Sequence, residues 1–482
     1  MRFLIIILFL VIGIATNAQP PKKFYSTYGG NGYDVGYDVK QTLDGGYIIT
    51  GSTSSYGQGN TDMYLLKIDS MGQKVFQNTF GGVSNEIGKS IVQLADSSYV
   101  MAGYTSSSGV GGYDVFLVKA DKVGNLIWQK TIGGSDWDFA NSMEATSDGG
   151  FIIAGTTYSY GKGNADGYVI KTDANGDTTW TKTYGGLKDD EFKSVIQTSD
   201  GNYALAGYTK SYNDSLGDAW IFKLDQNGDS ILCKFHGGNK EDFANSISQL
   251  ENLDLIISGA TRSSSTAGNS ETEFATFDLL TINLTHSYID ISSVNEYYND
   301  ITQGINGYIV GCGSTKSIQY SFDGVVDIYN SGYNYYNAYS VGANNQEELY
   351  AVCKTKDKGY ATVGKTNGYN SSLDDIFLIK MDSTGNYGTS IIGIEEKELV
   401  KIVLGIYPNP TSDYINIKIS NYKSYKKLHY QIIDLNGRVI FSNMINELIK
   451  TVETSSLSDG LYLLQIFDSN NLLSSSKISI IK

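Results

Sequence analysis

The chain has 482 residues, of which 41% are hydrophobic, and a formal charge of -15. That is enough apolar content for packed cores in more than one domain. The acidic balance, with only three arginines (Arg2, Arg262, Arg438), excludes a nucleic-acid-binding footprint. Fifty-four glycines against four prolines, and many short apolar segments between turn clusters, favour an all-β fold over a helical one.

The chain opens with Arg2, an apolar run from Phe3 to Ile14 and small residues up to Ala18. This pattern predicts a secretory signal peptide over 1–18. The apolar run of about twelve residues is short of the roughly twenty that cross a bilayer, so no membrane span is expected in the mature chain. Three cysteines (Cys233, Cys312, Cys353) cannot build a disulfide framework in an exported protein. They are read as buried thiols on strands, with one pair at most.

From Gly29 the sequence repeats. Gly-Gly pairs stand at Gly29-Gly30, Gly81-Gly82, Gly133-Gly134, Gly185-Gly186 and Gly237-Gly238, in steps of 52. A second marker runs through Gly51, Gly103, Gly155, Gly207, Gly259, Gly311 and Gly364, which makes seven units. In the first unit four strand-like segments appear, A (Val35 to Gln41), B (Tyr47 to Thr53), C (Met63 to Ile68) and D (Lys74 to Phe80), separated by turns such as Asp44-Gly45-Gly46. Four short strands per unit predict the blade of a propeller, seven-bladed over 19–393. A parallel β-helix is the alternative, but its period is shorter. Tyr64, Phe116, Tyr168, Trp220 and Phe377 share one slot on strand C, and Lys67, Lys119, Lys171, Lys223 and Lys380 share another. Large side chains at fixed blade positions predict blade-to-blade packing.

Counting back 52 from Phe76 and Phe80 reaches Phe24 and Tyr28, a strand D that precedes its own A, B and C. It is expected to pair with strand C of the seventh blade, near Ile376 to Met381, and so close the ring. Blades five and six drift from the pattern: the strand C signature is missing between Arg262 and Asp278 and again around Ile318 to Asp327. Tyr333, Tyr335 and Tyr336 follow, as candidate platforms for stacking on sugar rings, against a background of 37 tyrosines in the chain.

Two carboxylate series keep the period. Asp34, Glu86, Asp138, Asp190, Asp242 and Glu347 follow the Gly-Gly turn, and Asp62, Asp114, Asp166, Asp218 and Asp375 begin strand C. Both belong to the face where the D-to-A and B-to-C loops emerge. Two readings stand: rings that hold a hard cation such as calcium, or carboxylates that accept hydrogen bonds from turn amides of their own blade. Asp173 to Asp177 matches only the start of a calcium loop and reads as a hairpin turn. No other cofactor is indicated, and no nucleophile elbow, phosphate loop or metal-spaced histidine pair is present. His236 fills a slot held elsewhere by Tyr28, Phe80, Ile132 and Tyr184, and reads as a packed strand residue.

After a linker over 394–403 the ruler fails and a second domain of short alternating strands begins, predicted as a small β-sandwich over 404–482. It carries Pro408-Asn409-Pro410, then Asp434 with Gly437-Arg438 in a hairpin, then Gly460 and Tyr462 at a strand start, and a basic end. In that order these motifs resemble the type A C-terminal sorting domain of the type IX secretion system. The resemblance implies export across both membranes, the secretion machinery and its sortase-like peptidase as partners, and attachment to the outer cell surface or release. The expected function is a surface or secreted binding and adhesion module, with glycans or surface proteins as ligands. The alternatives are a polysaccharide-degrading enzyme with its site in the divergent blades and a structural surface protein.

Overall fold

The computed structural model describes residues 23–212, 216–263, 270–289, 295–304, 307–316, 322–341, 346–368, 373–387, 404–419, 428–434, 438–468 and 471–482. The expected signal peptide and the linker over 394–403 lie outside the described residues. The chain divides between Gly393 and Ile394 into two compact units.

The first unit is a seven-bladed β-propeller, each blade a four-stranded antiparallel sheet. Ahead of the first blade comes β1 (Phe24–Tyr28); the blade itself is β2 (Asp34–Gln41), β3 (Tyr47–Thr53), β4 (Asp62–Ile68) and β5 (Lys74–Phe80), which are its strands A to D. The A strands of neighbouring blades touch one another around the whole circle, the first blade meeting the seventh, so strand A is innermost. Strands B and C are almost entirely buried, whereas strand D alternates with solvent and lies outside. β1 pairs antiparallel with Asp375–Met381, from Phe24↔Lys380 to Tyr28↔Ile376, and supplies strand D of the seventh blade. The two ends of the ring are thereby held in one sheet, and the edge that strand C would expose is covered.

The cores lie between blades. Phe24 is fully buried among Val39, Tyr47 and Ile49 of the first blade and Val363 and Ile376 of the seventh. Phe192 and Trp220 stack at 4.7 Å in the equivalent layer of the fourth. Each such aromatic contributes about 2 to 3 kcal/mol of burial.

The glycine marker has a steric cause. A Cβ at Gly51 would stand 1.8 Å from the carbonyl oxygen of Val35, because Gly51 pairs with Gly36 right beside the bulge in strand A. Gly103, Gly155, Gly207, Gly259 and Gly364 meet the same obstacle. In the sixth blade the glycine in this position is Gly313, whose Cβ would lie 1.9 Å from Tyr297 O, and not Gly311, which sits two pairs further along and faces the Tyr298 ring. The ruler slips there by two residues. Blades five and six nevertheless have complete C strands, Glu271–Phe277 and Phe322–Tyr329.

The second unit is two sheets, one of three strands and one of four. Ile415, Ile417 and Val452 from the first close over Tyr430, Ile432, Leu464, Ile466 and Ile478 from the second in one core, the sandwich expected of alternating strands. Asn409 pins the entry: its amide donates to Lys477 O at 2.9 Å and its Oδ1 accepts from Ser479 N at 2.9 Å. Pro408 and Pro410 flank it and are exposed. Arg438 N donates to Asp434 Oδ1 at 2.9 Å, closing the hairpin whose Gly437 lies outside the described residues. Gly460 begins the strand opposite Ile480, and Tyr462 is buried with its hydroxyl on Ser458 O at 3.1 Å.

Candidate functional site

The two carboxylate series are built into the loop face of every blade. Asp34 is fully buried and accepts from Gly30 N at 2.9 Å, from the Ser55 hydroxyl at 2.5 Å and from the Thr53 hydroxyl. Asp190 repeats this with Gly186, Ser211 and Thr209, and Asp242 with Gly238, Ser263 and Thr261. Glu86 takes Gly82 N at 2.8 Å and the Thr105 hydroxyl at 2.7 Å, and Asp138 takes Gly134 N and the Ser159 hydroxyl. The carboxylate therefore ties the D-to-A loop to the end of strand B, inside one blade. The Gly-Gly pair follows from this lock. A Cβ at Gly81 would lie 2.0 Å from the Glu86 carboxylate and 2.8 Å from that of Asp62, and one at Gly82 would lie 2.5 Å from Ser107 Cβ.

The fixed period passes over one member of the first series, Glu296, and two of the second, Glu271 and Asp323. Glu296 accepts from the Thr315 hydroxyl at 2.8 Å, and its amide donates to Ser270 O at 2.8 Å as Asp34 N does to Asp374 O at 2.7 Å. Glu347 and Thr366 make the same bond at 2.7 Å. Glu271 and Asp323 stand where Asp62 stands, opposite Thr261 and Thr315. In the first series the signal was an acid followed nineteen residues later by threonine, a spacing that survives in all seven blades. Glu273 takes the aromatic slot in the fifth blade and pairs with His236 at 2.6 Å, so His236 is a packed strand residue with an acidic partner. The five acids Asp34, Glu86, Asp138, Asp190 and Asp242 are thus distributed one to a blade. Among the described residues no group of three or more His, Cys, Asp or Glu is arranged to hold a metal ion.

The lysine slot locks the opposite face. Lys171 is buried on strand C and reaches Asp148 in the A-to-B turn at 2.9 Å and Thr172 O at 2.8 Å. Lys67 with Asp44, Lys223 with Asp200 and Lys380 with Asp357 repeat it.

Once these periodic groups are accounted for, the side chains that break the period stand out, and they meet in the channel. Each A strand carries a β-bulge at one register point, and the bulged residues are Tyr37, Lys89, Asn141, Lys193, Asn245, Asn299 and Tyr350. A bulge re-aims the side chain of the extra residue. All seven are half-buried, and the charge of Lys193 acts on Lys89 from two blades away. The three asparagines are spent on the next blade: Asn141 donates to Phe192 O, Asn245 to Tyr298 O and Asn299 to Leu349 O, at 2.7 to 2.8 Å.

Tyr37 and Tyr350 lie 5.1 Å apart, and the Lys89 ammonium stands 3.6 Å above the Tyr37 ring. Lys193 pairs with Glu191 at 2.7 Å, and Lys365 with Glu348 at 3.4 Å and Asp374 at 3.3 Å. Burial pushes the Lys89 ammonium down to about 8, and Lys193 pushes it the same way. Above this level, toward the loop face, Tyr104 packs edge-on against Phe139 at 4.9 Å, and Trp137 against Tyr158 at 5.9 Å. Trp137 and Tyr158 are 48% and 42% exposed, an apolar surface open to a ligand. Deeper in the channel, Asp38 accepts from Ile91 N and Asp300 from Val352 N, each at 2.9 Å, stitching adjacent blades together.

The candidate tyrosines of the sixth blade are elsewhere. Tyr333 sits in the C-to-D turn stacked on His286 at 4.7 Å, and Tyr335 and Tyr336 are exposed on the outer strand Tyr335–Val341. As consecutive strand residues, Tyr335 and Tyr336 point to opposite faces, so one sugar ring does not touch both. Cys233, Cys312 and Cys353 are free thiols.

Residues 405–482 match the secretion system C-terminal sorting domain. The tail is that of the type IX secretion system, and it marks the chain for export to the cell surface or the extracellular space. Over 163 residues the chain is 31% identical to the regulatory protein FlaEY of Caulobacter vibrioides; the match spans 29% of this chain and 17% of that relative's length. Among solved structures it is similar to the Neurospora crassa Pan2 WD40 domain, with 9% identity, 75% of this chain and 96% of that chain covered and a TM-score of 0.45. It is also similar to PorZ, a surface component of the type IX secretion system of Porphyromonas gingivalis, with 11% identity, coverage of 94% and 75% and a TM-score of 0.36. No helix among the described residues is long and apolar enough to cross a membrane.

Proposed function

We propose that this exported propeller is a binding module, and that the mouth of its channel captures a glycan outside the cell. The observation that carries this reading is the concentration of non-repeating aromatic and charged side chains at one place. Tyr37, Tyr104, Phe139, Tyr158 and Tyr350 depart from the blade pattern where the locking carboxylates keep to it. Aromatic faces suit the C–H faces of pyranose rings, and the Lys193–Glu191 and Lys365–Glu348 pairs supply hydrogen-bonding groups beside them. A glycan array with the full chain tests it: Trp137→Ala and Tyr104→Ala should each weaken capture at least tenfold. Capture unchanged in both variants would move the site off the channel.

The sandwich acts as an address with no chemistry of its own, handed to the secretion machinery and removed by a sortase-like peptidase. Mass spectrometry of the chain recovered from the cell exterior should find the propeller without residues 404–482. Recovery of an intact tail would contradict removal.

A further inference from the structure

The ligand's chemistry can be narrowed, on the reading that the channel mouth is the binding site. We propose that the channel takes a carboxylate-bearing sugar, a uronic acid unit, with Lys89 as the residue that meets its carboxylate.

The protein carries 51 acidic against 36 basic residues, and its buried or channel lysines are almost all matched with acids. Lys171 has Asp148, Lys223 has Asp200, Lys40 has Asp38, Lys193 has Glu191 and Lys365 has Glu348. Lys89 is the exception in the channel. Among the described residues its ammonium has the ring of Tyr37 beneath it and the repulsion of Lys193, and no carboxylate pairs with it. A half-buried ammonium that is short of an anion is costly to keep, and a ring face returns only part of what water gave. A carboxylate arriving at Lys89 would satisfy the desolvated charge and offset the repulsion from Lys193. The neighbours decide between a bare anion and a sugar acid. The Tyr37 ring lies against Lys89 with Tyr350 next to it, the Tyr350 hydroxyl donating to Glu348 at 2.8 Å, and Tyr104 and Phe139 stand nearer the mouth, where the ring and the next sugar would lie. Phosphate or sulfate alone would use none of these faces. The bulge asparagines are already bonded to backbone carbonyls and Lys193 to Glu191, so the charged donor left for a ligand at that level is Lys89.

Calorimetric titration of the full chain with tetrasaccharides of galacturonate, glucuronate and mannuronate, their methyl esters, neutral maltotetraose and inorganic sulfate tests the proposal. At least one acid tetrasaccharide should bind, its ester should bind at least tenfold more weakly, and Lys89→Met should cost the acid at least tenfold while leaving the ester unchanged. If Lys89→Met fails to fold, protection of Lys89 from amine acetylation by the acid tetrasaccharide, read by mass spectrometry on the unaltered chain, gives the same answer. Equal affinity for acid and ester, full affinity in Lys89→Met, or sulfate binding as tightly as the sugar acids would overturn the inference. A neutral tetrasaccharide that binds and is lost in Trp137→Ala but not in Lys89→Met would overturn it and leave the glycan-binding function standing. Binding of no tetrasaccharide would remove both.

Discussion

The Thr315 hydroxyl donates to Glu296 at 2.8 Å across nineteen residues, the bond that Thr53 makes to Asp34 in the first blade. The sixth blade has lost its Gly-Gly pair and its strand C signature and still keeps this lock. The carboxylate is therefore part of what makes a blade. Its loss should be paid in stability, whichever blade is chosen.

Thr209→Val leaves the buried Asp190 carboxylate short of one charge-assisted hydrogen bond. The expected loss is about 1.5 to 3 kcal/mol, seen as a lower urea midpoint. An unchanged midpoint would mean that Ser211 and Gly186 hold the loop without it.

Phe24 joins the first and seventh blades through one core, and β1 holds the seventh blade's strand C by its edge. Phe24→Ala should cost about 3 to 5 kcal/mol. Removal of residues 23–28 should lower the melting temperature further and expose an edge strand prone to association. A melting curve unaffected by the deletion would contradict closure by this strand.

Acid should loosen the lysine-slot face. Burial alone would push the carboxyls of Asp44, Asp148 and Asp200 upward. The threonine hydroxyl, the backbone amide and the lysine ammonium beside each outweigh it and hold all three at about 2. Their folded values lie below the unfolded ones, so this contribution is present above about pH 4 and is lost as the pH falls toward 2. The carboxylates are partly solvent-exposed, which keeps each contribution small. Lys171→Met should lower stability at pH 7 and make the loss between pH 4 and 2 shallower. A slope identical to that of the parent would contradict the account.

Lys89 should behave in the opposite way, as a residue kept at the expense of stability. Burial first and Lys193 second hold its ammonium down at about 8, below the unfolded value, while Tyr37 faces it from β2. The unfolded chain then binds more protons between about pH 8 and 10.5, so stability rises with pH over that window as the folded ammonium is neutralised. Lys89→Met should accordingly leave the melting temperature at pH 7 unchanged or raise it. A fall of several degrees would mark Lys89 as a structural residue.

Much of the fold was legible because its determinants recur. The close approach of strand B to the bulge in strand A needs glycine at Gly51 and its equivalents, the lock needs Gly-Gly, and both recur at a fixed step. Phe24 and Tyr28 carry the same ruler backward into the seventh blade. The ruler failed where loops changed length: Glu271 lies ten residues after Thr261 and Asp323 eight after Thr315, where the regular blades have nine. A fixed period therefore passed over residues that the sheet places in register. The channel was illegible for a different reason. Tyr37, Lys89, Asn141, Lys193 and Tyr350 share a position but no side-chain type, and only the bulge shows that this position faces inward. Conversely, the tyrosine cluster at Tyr333, Tyr335 and Tyr336 is dense in sequence and divided in space between a turn and two faces of an outer strand.

Hydrogen exchange of the full chain with and without an acid tetrasaccharide compares these places directly. Protection should appear in the bulges at Gly36–Asp38 and Gly88–Ser90 and in the loop around Trp137, and should vanish in Lys89→Met. Protection confined to the outer strand Tyr335–Val341, or none anywhere, would contradict the channel as the binding site.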